Sequence, residues 1–133
     1  MPPEEIGKKF CRLDINMSVN YVLINIEIQV ADEGTYRERS LYNWSKMFLS
    51  SLGTGEKYKD TLKVITINIL DFILFDDTKE LHSEYRTLEV TINMLLTDKM
   101  SIHFFELPKL SEIENLDLKD EKQFWLVFFN AEA

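Results

Sequence analysis

The chain has 133 residues and a formal net charge of −8, with 45% hydrophobic and 29% charged residues. This length and composition fit one globular domain with its own core. The acidic balance argues against a broad basic surface for nucleic acid, because Lys and Arg supply most non-specific affinity for phosphate, but it leaves room for a local basic patch. The apolar runs are too short to span a bilayer and the N-terminus lacks a secretory pattern, so the sequence predicts a cytoplasmic protein without membrane contact.

Two neighbouring segments, 12–18 and 23–30, alternate apolar and polar residues, which is typical of β-strands with one buried face. If residues 20–21 form a two-residue turn, every pair of opposed positions sums to 41 and the apolar residues share one face. On the other face, Asp14 then lies opposite Glu27. Because like charges directly opposed destabilise a hairpin, the pattern favours a divalent cation bound between these acids.

The later elements follow from periodicity and from cap and turn signals. Residues Thr35 to Glu38 form a capping-box pattern that predicts the start of a helix, which Gly53 ends. After this helix, the sequence predicts a strand over 63–70, a loop over 71–80 whose aromatic residues fold back on the core, strands over 85–92 and 100–107, and a helix over 121–130. This order of elements predicts an α/β fold with a mixed sheet flanked by helices.

The cysteine and histidine residues of the chain argue against a zinc site. Cys11 is the single cysteine, and it falls in phase with the apolar face of the first strand, so we expect a buried thiol. His82 and His103 are the two histidines, and neither has zinc-ligand spacing around it. We expect His82 to lie in a loop and His103 to be a hydrogen-bonded histidine within a strand.

Six stretches of the chain are specific in combination and together cover most of its length. They are Pro3–Lys9, Leu13–Met17, Ile26–Val30, Tyr36–Trp44, Ile67–Phe72 and His103–Leu110. Together they resemble the bacterial PD-(D/E)XK nuclease family transposases, also described as Rpn-type recombination-promoting nucleases. The resemblance implies an α/β, restriction-endonuclease-like mixed sheet with flanking helices. It also implies a single nuclease-like domain over 1–133, which lacks the N-terminal core helix and the C-terminal extension usual in the family.

The same resemblance implies which residues form the site. Asp14 and Glu27 would hold Mg²⁺ or Mn²⁺, and Ile28 would offer its backbone carbonyl to the metal. Gln29 would occupy the catalytic position that is commonly lysine, where it can orient a water by hydrogen bonding but cannot carry charge. No small-molecule cofactor is expected. The alternative for both acids is an exposed strand face in contact with solvent.

Arg39 and Tyr42 lie three residues apart on the predicted helix and would share one face. The resemblance implies that they contact phosphate. The alternative for Arg39 is packing over Trp44 or pairing with an acid, and the sequence leaves both readings open.

The function that these features indicate is metal-dependent hydrolysis of DNA by an endonuclease or transposase core. The alternative is a catalytically inactive remnant that acts as a structural or protein-interaction module. DNA binding is expected to be weak, because the chain carries 23 acidic and 15 basic residues. A homo-oligomer is also expected, because a missing first helix would leave apolar surface uncovered.

Overall fold

The computed structural model describes residues 12–52, 57 and 61–112 of the chain. Its elements are β1 (Arg12–Val19), β2 (Val22–Gln29), α1 (Tyr36–Ser50), β3 (Lys63–Leu70), β4 (His82–Tyr85), β5 (Met100–Glu106) and a 3-10 helix (Leu107–Glu112). The strands form one mixed sheet in the order β1-β2-β3-β5-β4. Strands β2, β3 and β5 run parallel, while β1 and β4 each pair antiparallel with their neighbour. The predicted α/β class is confirmed.

The hairpin of β1 and β2 has the predicted register throughout. Asp14 pairs with Glu27, and Arg12 pairs with Gln29 at the open end of the hairpin. The turn residues Asn20 and Tyr21 have φ angles of 49° and 64°. Two consecutive residues with positive φ are the mark of a type I′ turn, whose twist matches that of the flanking strands. Asn adopts this region readily, whereas a tyrosine there is strained.

Helix α1 and strand β3 begin where the sequence predicts. Thr35 is the N-cap of α1, but its side chain makes no capping hydrogen bond, so the predicted capping box does not form. The predicted strand over 85–92 is wrong: β4 spans His82–Tyr85, and the chain then leaves the sheet. The predicted strand over 100–107 ends one residue earlier, where Leu107 and Pro108 begin the 3-10 helix. The predicted helix over 121–130 lies outside the described residues.

The sheet carries an apolar cluster on each face. Beneath α1, the buried members are Tyr36, Leu70, Phe75, Met100, Ile102 and Phe104, and Trp44, Phe72 and Leu74 pack against them. The predicted return of the 71–80 loop to the core is thus confirmed by Phe72 and Phe75. The other cluster joins Ile69, Leu81, Leu107 and Leu110, with isoleucines of β2 and β3 beside them.

A buried ion pair fixes this loop beside the sheet. The Nζ of Lys109 donates to Oε2 of Glu106 at 2.7 Å, and both side chains are almost fully buried. Oε1 of Glu106 accepts from the backbone N–H groups of Leu74 and Phe75, both at 2.7 Å. Lys109 also donates to the carbonyl of Phe75. Each charge is therefore hydrogen-bonded several times, which burial of an ion pair requires.

Candidate metal and nuclease site

The candidate site lies in the β1–β2 hairpin, on the side of the sheet where α1 packs against β3 and β5. Asp14 and Glu27 are directly opposed on the two strands, and Gln29 follows Glu27 on the same face because side chains alternate along a strand. In the next strand, Asn68 pairs with Glu27. A polar row of Asp14, Glu27 and Asn68 therefore crosses three adjacent strands.

Glu27 has 0% of its surface exposed, so the interpretation of this residue as part of a solvated strand face is wrong. The side-chain amide of Asn43 donates to its Oε2 at 2.7 Å, and Nη2 of Arg39 lies 3.9 Å from its Oε1. Arg39 and Asn43 are four residues apart on α1, so both project from one side of the helix. The helix thus supplies both a hydrogen bond and a positive charge to the buried carboxylate.

Asp14, unlike Glu27, is exposed. Its Oδ1 accepts a hydrogen bond from Nδ2 of Asn25, which also donates to Oδ1 of Asn16 at 2.9 Å. Both hydrogens of this amide are consequently used to hold β1 side chains. The Oδ1 of Asn25 is buried and has no hydrogen-bond partner within the described part of the chain.

Gln29 is buried at the end of β2. Its Nε2 donates to the carbonyl of Ala31 at 3.1 Å, while its Oε1 is buried without a hydrogen-bond partner among the described residues. Its backbone carbonyl accepts from the N–H of Asp71 at 3.0 Å, on the β3 side. Because successive carbonyls of a strand point to opposite neighbours, the carbonyl of Ile28 faces β1, the strand that carries Asp14.

A second set of hydrogen bonds supports the polar row from the helix side. The hydroxyl of Tyr36 donates to Oδ1 of Asn68 at 2.8 Å, and Nδ2 of Asn68 donates to the carbonyl of His103 at 3.0 Å. Trp44 anchors the middle of α1, because its Nε1 donates to the carbonyl of Val64 at 2.9 Å. These contacts fix the helix, and with it Arg39, above the sheet.

Of the two helix residues expected to contact phosphate, only Arg39 lies beside a carboxylate of the site. Arg39 is partly buried beside Glu27, which is the pairing with an acid that the sequence left open. Tyr42 is 62% exposed, and Nζ of Lys46 lies 5.7 Å from the centre of its ring.

Sequence reasoning missed Asn25, Asn43, Tyr36 and Asn68 as parts of the site. One signal for Asn43 was its spacing of four from Arg39, and one for Asn25 was its position opposite Asn16 in the predicted register. No comparable signal pointed to the bond between Tyr36 and Asn68, because it joins a helix to a strand that is distant along the chain.

The donor set at this site consists of oxygen atoms. No cluster of three or more His, Cys, Asp or Glu side chains suited to a metal ion occurs within residues 12–52, 57 and 61–112. Two carboxylates suffice for Mg²⁺, which keeps several waters and also takes phosphate oxygens from a substrate. The buried amide oxygen of Gln29 is an unused acceptor on the same face and fits a water bound near such an ion. The residues present therefore fit a hard divalent cation.

A separate polar chain lies on the opposite face of the sheet. Nε2 of His82 is 2.8 Å from Nδ1 of His103, whose Nε2 is 2.8 Å from Oγ of Ser101. Ser101 donates to Oε2 of Glu84 at 2.6 Å. This hydrogen bond is the main cause that lowers the pKa of Glu84. His82 thus lies in β4 and the prediction of a loop was wrong, whereas the hydrogen-bonded role predicted for His103 is confirmed.

Comparison with known proteins agrees with this reading of the sheet. The chain matches the model of the PD-(D/E)XK nuclease family transposases over residues 1–133. No curated protein and no solved structure matches it significantly. No helix within the described ranges is long and apolar enough to cross a membrane. With a restriction-endonuclease-like mixed sheet and a family match over its full length, the chain belongs to the PD-(D/E)XK nuclease family transposases.

Proposed function

We propose that this chain is the core of a metal-dependent nuclease that hydrolyses phosphodiester bonds in DNA. Membership of the family implies a nuclease or transposase function with DNA as the substrate. Asp14 and Glu27 are the proposed ligands of Mg²⁺ or Mn²⁺, together with the carbonyl of Ile28. The observation that carries the proposal is the direct opposition of Asp14 and Glu27 in the hairpin, with Gln29 on the same face.

A bound divalent ion would lower the pKa of its water and stabilise charge on the scissile phosphate. The protein's own residues prepare the site for it. Asn43 and Arg39 hold the Glu27 carboxylate in place, and Asn25 orients Asp14. The free amide oxygen of Gln29 accepts a hydrogen bond from the attacking water and so orients it, but an amide cannot take up its proton.

Contact with the DNA backbone is proposed to involve exposed residues of α1 rather than Arg39. Arg39 is a positioning residue in this proposal, because its guanidinium lies beside Glu27 rather than in solvent. Tyr42 and Lys46 are both exposed and lie together on the same helix, so they are the residues proposed to contact phosphate. Since the chain has 8 more acidic than basic residues (23 against 15), binding should need the metal and fall with rising salt.

The second candidate function is an inactive remnant that serves as an interaction module. Gln29 favours it, because an amide at the usual lysine position provides neither positive charge nor a titratable proton. Both candidates can retain the metal site, so metal binding and DNA cleavage must be measured separately.

The test measures thermal melts in EDTA and in excess Mg²⁺ or Mn²⁺, together with cleavage of supercoiled plasmid. A metal at ten times its Kd adds about 1.4 kcal/mol of stability by linkage, which raises Tm by about 5 °C for a domain of this size. Asp14→Asn should abolish both this rise and the cleavage, whereas Asp98→Asn, at an exposed turn before β5, should change neither. If neither metal changes the Tm of the wild type, the proposed metal site is wrong. If a metal raises the Tm but no DNA is cleaved, the inactive module is favoured.

A further inference from the structure

After β4 the chain forms a short two-stranded projection, residues Thr87–Thr97, which we call the apolar arm. Its two sides are joined by hydrogen bonds from the N–H of Glu89 to the carbonyl of Met94 at 2.7 Å and from the N–H of Leu96 to the carbonyl of Thr87 at 2.9 Å. A β-bridge between Leu88 and Leu95 joins them as well. The arm is thus a hydrogen-bonded unit with a defined backbone.

The tip of the arm has its own internal support. Asn93 adopts a φ of 57°, a conformation that Asn tolerates better than most residues. The carboxylate of Glu89 accepts hydrogen bonds from the N–H groups of Thr91 and Ile92 at 2.8 and 2.6 Å. Glu89 is the one charged residue between positions 87 and 97, and the backbone of the arm itself engages its carboxylate.

The arm exposes large apolar side chains to water, which is unfavourable unless another surface covers them. Val90 is 93% exposed, Leu96 81%, Ile92 68% and Met94 61%, and Leu88 and Leu95 are also exposed. Single apolar residues on a surface are ordinary. Six within eleven consecutive positions form a patch of the kind that marks an interaction site.

We propose that the apolar arm is a self-association surface, which packs against the arm of a second copy across a twofold axis. DNA is a poor occupant, because the arm has no Lys or Arg to neutralise phosphate. In a twofold dimer the same patch of both copies is in contact, so charges of one sign on the patch would repel each other. A patch that is nearly free of charge avoids this repulsion. The chain has a net charge of −8, so two copies repel each other, and the arm adds only the charge of Glu89 to that repulsion.

The size of the patch sets the expected strength. Burial of an aliphatic side chain contributes about 2–3 kcal/mol at about 25 cal/mol per Å², which corresponds to about 80–120 Å² for each chain. The exposed fractions of the six chains add up to about four whole side chains, which gives roughly 300–500 Å² per copy, below the roughly 800 Å² of a standard interface. The dimer should therefore be reversible. This inference does not depend on the nuclease proposal, and its test needs neither metal nor DNA.

The test is sedimentation velocity across a protein concentration range centred on about 50 μM, where reversible contacts of this size dissociate on dilution. Leu96→Lys and Val90→Lys are each expected to raise the dimer Kd by about tenfold or more, because a charge must then be buried. The matched control is Leu49→Lys: Leu49 is 74% exposed on α1, and the change alters net charge by the same amount. Val90→Thr, which keeps the side-chain shape, should weaken the dimer by a smaller factor.

Salt provides a second measurement. Higher ionic strength should strengthen the wild-type dimer, because salt screens the repulsion between acidic copies and leaves apolar burial intact. A wild type that stays monomeric over the whole range would overturn the proposal. Equal Kd values for the arm variants and Leu49→Lys would overturn it as well, provided that thermal melts show all of them folded.

Discussion

In the metal-free protein, the two acids of the hairpin should respond in opposite ways to neutralisation. Opposed charges alone suggest that removing either one leaves the fold as stable or more stable. Burial changes this expectation for Glu27. Glu27→Gln keeps the volume and leaves one oxygen for the amide of Asn43, but it turns an NH₂ group towards Nη2 of Arg39, so two donors face each other.

The magnitude follows from the contacts. A hydrogen bond to a charged group contributes about 1.5–3 kcal/mol. Relief of the repulsion with Asp14 returns about 1 kcal/mol for two carboxylates about 5 Å apart at a partly exposed site. Glu27→Gln should therefore lower the free energy of unfolding by about 0.5–2 kcal/mol. Asp14→Asn relieves the same repulsion at an exposed position, so its stability should be unchanged or slightly higher.

Urea unfolding in EDTA measures both variants against wild type, with Asp98→Asn as the control for loss of one surface acid. A double-mutant cycle of Glu27→Gln with Asn43→Ala measures how much the contact between Asn43 and residue 27 depends on the carboxylate charge, and should give a coupling energy above about 0.5 kcal/mol. If Glu27→Gln proves as stable as wild type and the coupling is zero, the helix does not hold this carboxylate and our account of the site is wrong.

Three further outcomes are expected. Lys109→Met should destabilise the fold by about 3–5 kcal/mol, because it removes the cation that pairs with the buried carboxyl group of Glu106, and urea unfolding should show that the double variant with Glu106→Leu loses less. Gln29→Lys should raise the metal-free Tm by offsetting the two acids and should increase plasmid cleavage; unchanged cleavage with a raised Tm would separate charge balance from catalysis. The folded-state pKa of Glu84 is lowered, so its contribution to stability is present above its ordinary pKa and is lost as pH falls. The Tm difference between wild type and Glu84→Gln should therefore shrink from pH 6 towards pH 3. A difference that stays constant would contradict this linkage.

The register of the hairpin could be predicted because two constraints agree. A period of two fixes which side chains share a face, and a two-residue turn fixes which residues are opposed. The same reasoning failed at residues 85–92, whose β-branched and apolar residues have the composition of a strand. Contacts within the segment decide otherwise: Glu89 caps the backbone ahead of Asn93, and the chain folds back on itself before it reaches β5.

The burial of Glu27 was not predictable from the alternation of β2 alone. Alternation is normally the mark of a strand with one face in water. Here β2 pairs in parallel with β3, and parallel strands are usually covered on both faces. The position of α1 depends on contacts between residues far apart in sequence, such as Tyr36 with Asn68 and Trp44 with Val64. Because those contacts place α1 against the sheet, the polar face of β2 that would otherwise contact solvent is buried.

A buried polar layer is expensive, and its location is therefore informative. Asn25, Glu27 and Gln29 lie on the covered face of β2, where apolar residues would pack without the cost of desolvating polar groups. The cost is only partly offset, since Oδ1 of Asn25 and Oε1 of Gln29 have no hydrogen-bond partner within the described residues. Natural sequences break the rules of core packing mainly at functional sites. The layer adjoins the exposed carboxylate of Asp14, and this supports our proposal that a metal binds at the β1–β2 hairpin.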